Sequence, residues 1–191
     1  SGDATYMVSV RGVSDAQLTR IVDSLPSTSH PLSIALRNDT DTHVVSGAPN
    51  DLASLVAAIE RAAAQDKAAH DTHERGGRPL SPVCEYLPVY VPFHSPMLAD
   101  ALTLVDEWAA ECGIDAELAH SLGSAVLTTP VDWPDQIGAA ADSGATWIID
   151  MGPGATTVRM TRALVEGTGV GVVAAGTSAD RYKAATPGWA P

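Results

Sequence analysis

Between Tyr6 and Val91 two apolar periodicities alternate in the order strand, helix, strand, strand, helix, strand, and few folds accept that order. Tyr6 to Val10 reads as a strand. Ser14-Asp15-Ala16-Gln17 is a capping box, which satisfies free amides at a helix start, and Leu18, Ile21, Val22 and Leu25 then share one helical face until Pro26 stops it. Leu32 to Leu36 and His43 to Ser46 are β-prone runs joined by Arg37-Asn38-Asp39-Thr40-Asp41-Thr42, a hairpin whose Asn and Asp residues favour turns. Asn50 is the expected N-cap of a helix from Leu52 to about Ala69, with Leu52, Leu55, Val56 and Ile59 on one side. After the loop Arg75-Gly76-Gly77-Arg78-Pro79, Val83 to Val91 supplies the last strand. The order βαββαβ is that of the ferredoxin-like split unit.

The rest of the chain has another rhythm. Met97 to Ala110 carries Leu98, Ala101, Leu102, Val105 and Trp108 at helical spacing, with Cys112-Gly113 as its stop. Helices are also expected over Glu117 to Val126, Pro134 to Ser143 and about Ala155 to Val165. Trp147 to Met151 and Val170 to Ala174 read as strands buried on both faces, the mark of a parallel α/β layer. The expected class is α/β: a ferredoxin-like subdomain over 1–91, part of a parallel-sheet subdomain over 92–177, and a linker over 178–191.

Charge excludes two partner classes. Eleven Lys and Arg against 23 Asp and Glu give a net charge of −12, and no cation stands between Arg78 and Arg159. Such a surface repels phosphate, so neither nucleic acid nor an anionic membrane is an expected partner. No apolar run reaches the length of a membrane span, and Ser1-Gly2-Asp3 has no secretory character, so a cytoplasmic location is expected. Cys84 and Cys112 have no disulfide or metal-motif spacing. His70 and His73 stand three apart but lack a third ligand, so no metal site is expected.

One segment carries chemistry. In Val91-Pro92-Phe93-His94-Ser95-Pro96-Met97 a histidine sits between two prolines at a strand-to-helix junction, where a rigid backbone limits the directions its imidazole can take. That suits a general base. A serine nucleophile on a Gly-x-Ser-x-Gly turn is absent from the sequence, and Gly152-Pro153-Gly154 and Gly169-Val170-Gly171 lack the remaining residues of a phosphate cradle.

Four motifs in order give a resemblance: Val44-Val45-Ser46-Gly47, then Val91 to Leu98, then Pro130-Val131-Asp132-Trp133, then Ile149 to Gly154, followed by the tail Gly167 to Thr177. Over about Met7 to Thr177 the chain resembles the acetyl- or malonyl-transferase domains of microbial type I fatty acid synthases, specifically their C-terminal portion. The resemblance implies an α/β-hydrolase-like larger subdomain with a ferredoxin-like insertion. It implies that an acyl group passes from coenzyme A to a serine, and then to the phosphopantetheine thiol of an acyl carrier protein. His94 matches the histidine that assists. A main-chain carbonyl, expected at about Val126, would orient its ring. Phe93 and Asn38 are implied at the acyl channel, although Asn38 reads equally well as a turn residue.

The family's nucleophile, first oxyanion donor and carboxylate-binding arginine precede the ferredoxin-like insertion, so this chain alone is expected to be inactive, and excision from a longer polypeptide is the expected origin. No permanently bound cofactor is expected; acyl-CoA and the carrier protein would be substrates, and the other domains of a large, homo-oligomeric synthase would be partners. The cation-free interval offers no counter-charge to a malonyl carboxylate and leans towards acetyl. A non-catalytic module that docks a carrier protein or ligand is the alternative, and a thioesterase would need the same serine.

Overall fold

A computed structural model describes residues 5–26, 31–72, 79–152, 156–178 and 180–181. The chain divides into two compact units, Ser1–Val131 and Asp132–Pro191.

The first unit is built on β1 (Met7–Arg11), α1 (Asp15–Ser24), β2 (Ser33–Arg37), β3 (Thr42–Ser46), α2 (Pro49–Asp71) and β4 (Val83–Tyr86). The strands lie in the order β4-β1-β3-β2, and every pair among them is antiparallel. This is the split βαββαβ arrangement that the periodicity predicts. Successive strand residues point to opposite faces, so each strand serves two clusters. Val8, Val10 and Val45 meet Leu18 of α1 and Leu52, Leu55 and Ile59 of α2 in a buried core. Met7, Ala35 and Val44 form a second cluster on which Leu36, Leu87, Val89 and Phe93 pack.

Local chemistry explains the element boundaries. The Ser14 capping box forms, with Ser14 N donating to Gln17 Oε1 at 3.1 Å. The second helix starts earlier than Asn50 predicts: Ala48 is its N-cap and Pro49 its first residue, a position that loses nothing from the missing N–H. The last strand is shorter than the expected Val83 to Val91 and ends at Tyr86. Pro88 cannot donate to a ladder, although Leu87 N–H still reaches Met7 O and Tyr6 N–H reaches Val89 O, both at 3.0 Å. Gly12 links β1 to α1 at φ +75°, and a Cβ there would meet Ser81 O at 2.7 Å, so only glycine fits.

Beyond Val91 the chain continues within the first unit, where Phe93 packs on the sheet and Ser95 N–H bonds Leu127 O at 3.1 Å. The helix expected from Met97 is delayed. Pro96–Leu98 forms a single 3-10 turn, and α3 runs over Ala101–Cys112, closed by Gly113 at φ 67°. Then α4 (Ala116–Leu127) folds against α3, with Asp115 Oδ1 capping Leu118 N–H at 2.8 Å. Val131 opens a two-residue strand, β5 (Val131–Asp132), which borders β2 in the sheet.

The second unit holds α5 (Trp133–Asp142), β6 (Trp147–Asp150), α6 (Thr156–Leu164) and β7 (Gly171–Ala174). Asp132 caps α5 through Asp135 N–H at 3.0 Å. The strands β6 and β7 are parallel, as the two apolar runs predict. Trp133 is a structural residue here: its indole N–H donates to Thr161 Oγ1 of α6 at 3.2 Å. The tail expected as a linker lies almost wholly outside the described residues. Among the described residues no helix is long and apolar enough to cross a membrane.

Candidate active site around His94

His94 is the one non-glycine residue with positive φ among the described residues, at 56°. For a residue with a Cβ that conformation costs about 1–2 kcal/mol, so neighbouring bonds must hold it. They do so on both sides. Pro92 is buried and Phe93 is half-buried against the sheet. Buried Ser95 donates its N–H to Leu127 O at 3.1 Å, while its Oγ accepts Met97 N–H at 3.3 Å. The His94 carbonyl itself receives the Ser33 hydroxyl at 3.4 Å.

The imidazole is anchored by its Nδ1, 2.9 Å from Thr129 O. A carbonyl oxygen only accepts, so Nδ1 carries the proton and, in the neutral ring, Nε2 has the lone pair. That tautomer presents Nε2 as a base. No group among the described residues hydrogen-bonds Nε2.

The anchoring carbonyl belongs to Thr129 and not to Val126. Val126 lies inside α4, which continues through Leu127, and its side chain is exposed. Thr129 is the first residue past the helix C-cap; its N–H returns to Ser124 O at 2.9 Å. Because it precedes Pro130, its backbone is biased away from the helical region, which turns the carbonyl off the helix axis. The sequence does contain that signal, the Thr129-Pro130 pair, but the helix end it marks lies one residue beyond the expected one.

The structure does not bring Asn38 to His94. Ser33, at one end of β2, reaches the His94 carbonyl, whereas Asn38 follows the other end, about 16 Å along the strand at ~3.3 Å per residue. There Asn38 N–H bonds Thr42 O at 2.9 Å within the hairpin turn, its turn reading. Phe93 adjoins His94, but its ring packs with Met7, Ala35 and Val44, so it anchors the segment in the core.

The other described histidines have structural partners. Buried His43 meets Val13 O through Nε2 at 3.1 Å, His70 Nδ1 lies 2.8 Å from Asp66 O one helical turn back, and His120 pairs with Asp106 at 3.1 Å. His30 and His73 lie outside the described residues, and so does the spacing of His73 from His70. Among the described residues no cluster of His, Cys, Asp and Glu could hold a metal. Burial, and next the nearby Glu60 carboxylate, push the Cys84 thiol above its ordinary range, so it stays protonated and is a poor nucleophile.

The fold is that of the acyltransferases of the malonyl-CoA:acyl carrier protein transacylase type, as solved structures show. The malonyl-CoA:acyl carrier protein transacylase FabD of Xanthomonas oryzae superposes on the whole chain with a TM-score of 0.67 and 25% identity, and 60% of its own length is matched. A malonyl-transacylase solved with its type II polyketide synthase acyl-carrier protein matches 96% of the chain and 59% of its own, with a TM-score of 0.67 and 19% identity. Residues 6–86 match the family described as the fatty acid synthase central AT domain. The fatty acid synthase subunit beta of Aspergillus oryzae is 28% identical over 91% of the chain. The chain thus matches a portion of a fatty acid synthase acyltransferase domain. It spans about a tenth of the length of the curated relatives it matches.

Proposed function

We propose that this chain supplies the general base of an acyltransferase that moves an acetyl group from coenzyme A to the phosphopantetheine thiol of an acyl carrier protein. The serine that carries the acyl group lies on polypeptide outside these 191 residues. The observation that carries the reading is the Nδ1 bond of His94 to Thr129 O, which leaves Nε2 basic on a backbone held in a strained conformation.

The steps balance around Nε2. It takes the proton of the serine hydroxyl as Oγ attacks the thioester carbon, and returns that proton to the coenzyme A sulfur as the C–S bond breaks. In the second half the carrier thiol gives its proton to Nε2 and its sulfur attacks the acyl-serine ester. The proton then goes back to the serine oxygen as it leaves. Thr129 O holds the ring and stabilises the imidazolium formed at each stage. No metal or permanent cofactor enters these steps. The synthase that contains the domain would be a cytoplasmic homo-oligomer.

The acetyl preference rests on charge. From Pro79 to Val158 the sequence offers no cation to a malonyl carboxylate, and an unpaired buried carboxylate is costly, so a malonyl group would need its counter-charge from an arginine on the polypeptide that bears the serine. The test joins the chain to the polypeptide bearing the Gly-x-Ser-x-Gly turn and supplies radiolabelled acetyl-CoA with phosphopantetheinylated carrier protein. Label on the carrier is expected. Absence of label from every acyl-CoA would overturn the transferase reading, and malonyl transfer as fast as acetyl would overturn the preference.

A further inference from the structure

Two serines lie side by side on the face of the sheet that carries the His94 segment, and a register slip puts them there. Ser33 of β2 is opposite Ser46 of β3, Ile34 is opposite Val45, and Leu36 is opposite Val44, so Ala35 is an extra residue in β2. Side chains alternate along a strand, and a slip of one residue moves all those beyond it to the other face. Counted from the turn, where Arg37 is opposite His43, an unbroken ladder would set Ile34 against Ser46 and turn Ser33 towards α1 and α2. The bulge turns Ser33 to the face of Met7, Val44 and Phe93 instead. Packing agrees: Ile34 lies with the helices, whereas Ala35 and Leu36, neighbours in sequence, both lie in the other cluster.

Ser33 Oγ–H donates to the His94 carbonyl at 3.4 Å, at the long end for such a bond. Ser46 is fully buried, and its Oγ has no hydrogen-bond partner among the described residues. A buried hydroxyl left unpaired is destabilising, and alanine would occupy the same place without it. Opposed Cβ atoms of an antiparallel pair stand about 4.5–5.5 Å apart, so rotation about the Cα–Cβ bond brings Ser46 Oγ within reach of Ser33 Oγ. Ser33 Oγ can accept there while it donates to His94 O. A hydroxyl that accepts one bond donates the next more strongly, which draws in the long bond to His94.

We infer that Ser33 and Ser46 are positioning residues for the general base. Ser46 Oγ–H donates to Ser33 Oγ, Ser33 Oγ–H donates to the His94 carbonyl, and the pair holds His94 at its positive φ with Nδ1 on Thr129 O. Neither hydroxyl touches the reacting atoms. The bond is to the backbone of His94, so its loss frees the peptide that sets the direction of the imidazole. The catalytic consequence rests on the proposed function, whereas the fixing of the ring rests on the geometry alone.

Two readouts test it: the nitrogen-15 spectrum of the neutral His94 ring in the 191-residue chain, and acyl transfer by the chain joined to the serine-bearing polypeptide. Ser33→Ala is expected to replace the single Nδ1–H form by a mixture of both tautomers, and to lower kcat about tenfold with KM changed less than about twofold. Ser33→Thr keeps the hydroxyl on a side chain that suits a strand, and is expected to recover most of both losses. Ser46→Ala is expected to lower kcat about threefold in the parent and not at all in Ser33→Ala, because the second bond acts only through the first. A single tautomer and turnover within about twofold of the parent in Ser33→Ala would overturn the inference. So would a Ser46→Ala protein more stable than the parent with transfer unchanged, the mark of an idle hydroxyl. Should Ser33→Ala not fold, the Ser46→Ala spectrum and turnover still decide. A joined protein that transfers no acyl group while its ring responds to Ser33→Ala sinks the transferase reading alone. One that transfers while its ring ignores both substitutions sinks the positioning pair alone.

Discussion

Replacing His94 by alanine in the complete domain is expected to lower acyl transfer to the carrier protein about 10²- to 10⁴-fold, the contribution of a positioned general base. The reason is specific to Nε2. With Nδ1 committed to Thr129 O at 2.9 Å, the ring has one nitrogen able to take the serine proton, and alanine has none. Because φ at this position is 56°, alanine inherits the backbone strain without the ring's anchoring bond. His94→Asn separates the two effects, since asparagine tolerates the left-handed conformation and still lacks a base. Both variants are expected to lose transfer, with the asparagine variant closer to the parent in stability. Turnover within about threefold of the parent for either variant would remove His94 from the mechanism.

Leu18→Ala is expected to destabilise the first unit by about 2–5 kcal/mol, a large part of a typical domain's stability. Leu18 is fully buried between α1 and the sheet, in one cluster with Val8, Val10, Val45, Leu52, Leu55 and Ile59. Removing its isobutyl group leaves a cavity that α1 cannot close without breaking the Ser14 capping box that fixes the start of the helix. Urea unfolding followed by circular dichroism checks this, with the midpoint expected to fall by roughly 1 M or more. A midpoint unchanged within error would mean that α1 is not part of the core. The His94 segment depends on the same sheet, because Phe93 rests on its opposite face.

The split βαββαβ order is legible because its signals are local. Leu18 through Leu25 repeat at helical spacing behind a capping box, and Val44-Val45 reads as a strand wherever it pairs. Strand order then follows from the few ways such a unit closes. Legibility fails where one residue's chemistry depends on another element. The regular β4 ladder on β1 ends at Tyr86, two residues before Pro88, which has no N–H to give to a partner strand. Thr129 replaces Val126 as the anchor of His94 because α4 runs on through Leu127, and a helix end displaced by a residue moves every carbonyl behind it.

His94 itself is visible in the sequence through its two prolines and the ordered motifs around it, but its positive φ is not. That conformation is held by bonds to residues distant in sequence: Ser33 to the His94 carbonyl, Thr129 to the His94 ring, and Leu127 to the N–H of the next residue, Ser95. The distance between Asn38 and His94 is hidden for a similar reason. Sequence places Asn38 beside a strand, and only the direction of β2 shows which end of that strand faces His94. The pairing of Arg162 with Asp180 is hidden as well, because the two stand 18 residues apart and meet only in the folded second unit.

The nitrogen-15 spectrum of the His94 ring in the 191-residue chain, recorded with the ring neutral, tests the central claim most directly. The account predicts a protonated Nδ1 and a pyridine-type Nε2, the tautomer that Thr129 O enforces and that acyl transfer requires. A protonated Nε2 with a pyridine-type Nδ1 would contradict it, for the nitrogen turned to the substrate would then have no lone pair to give.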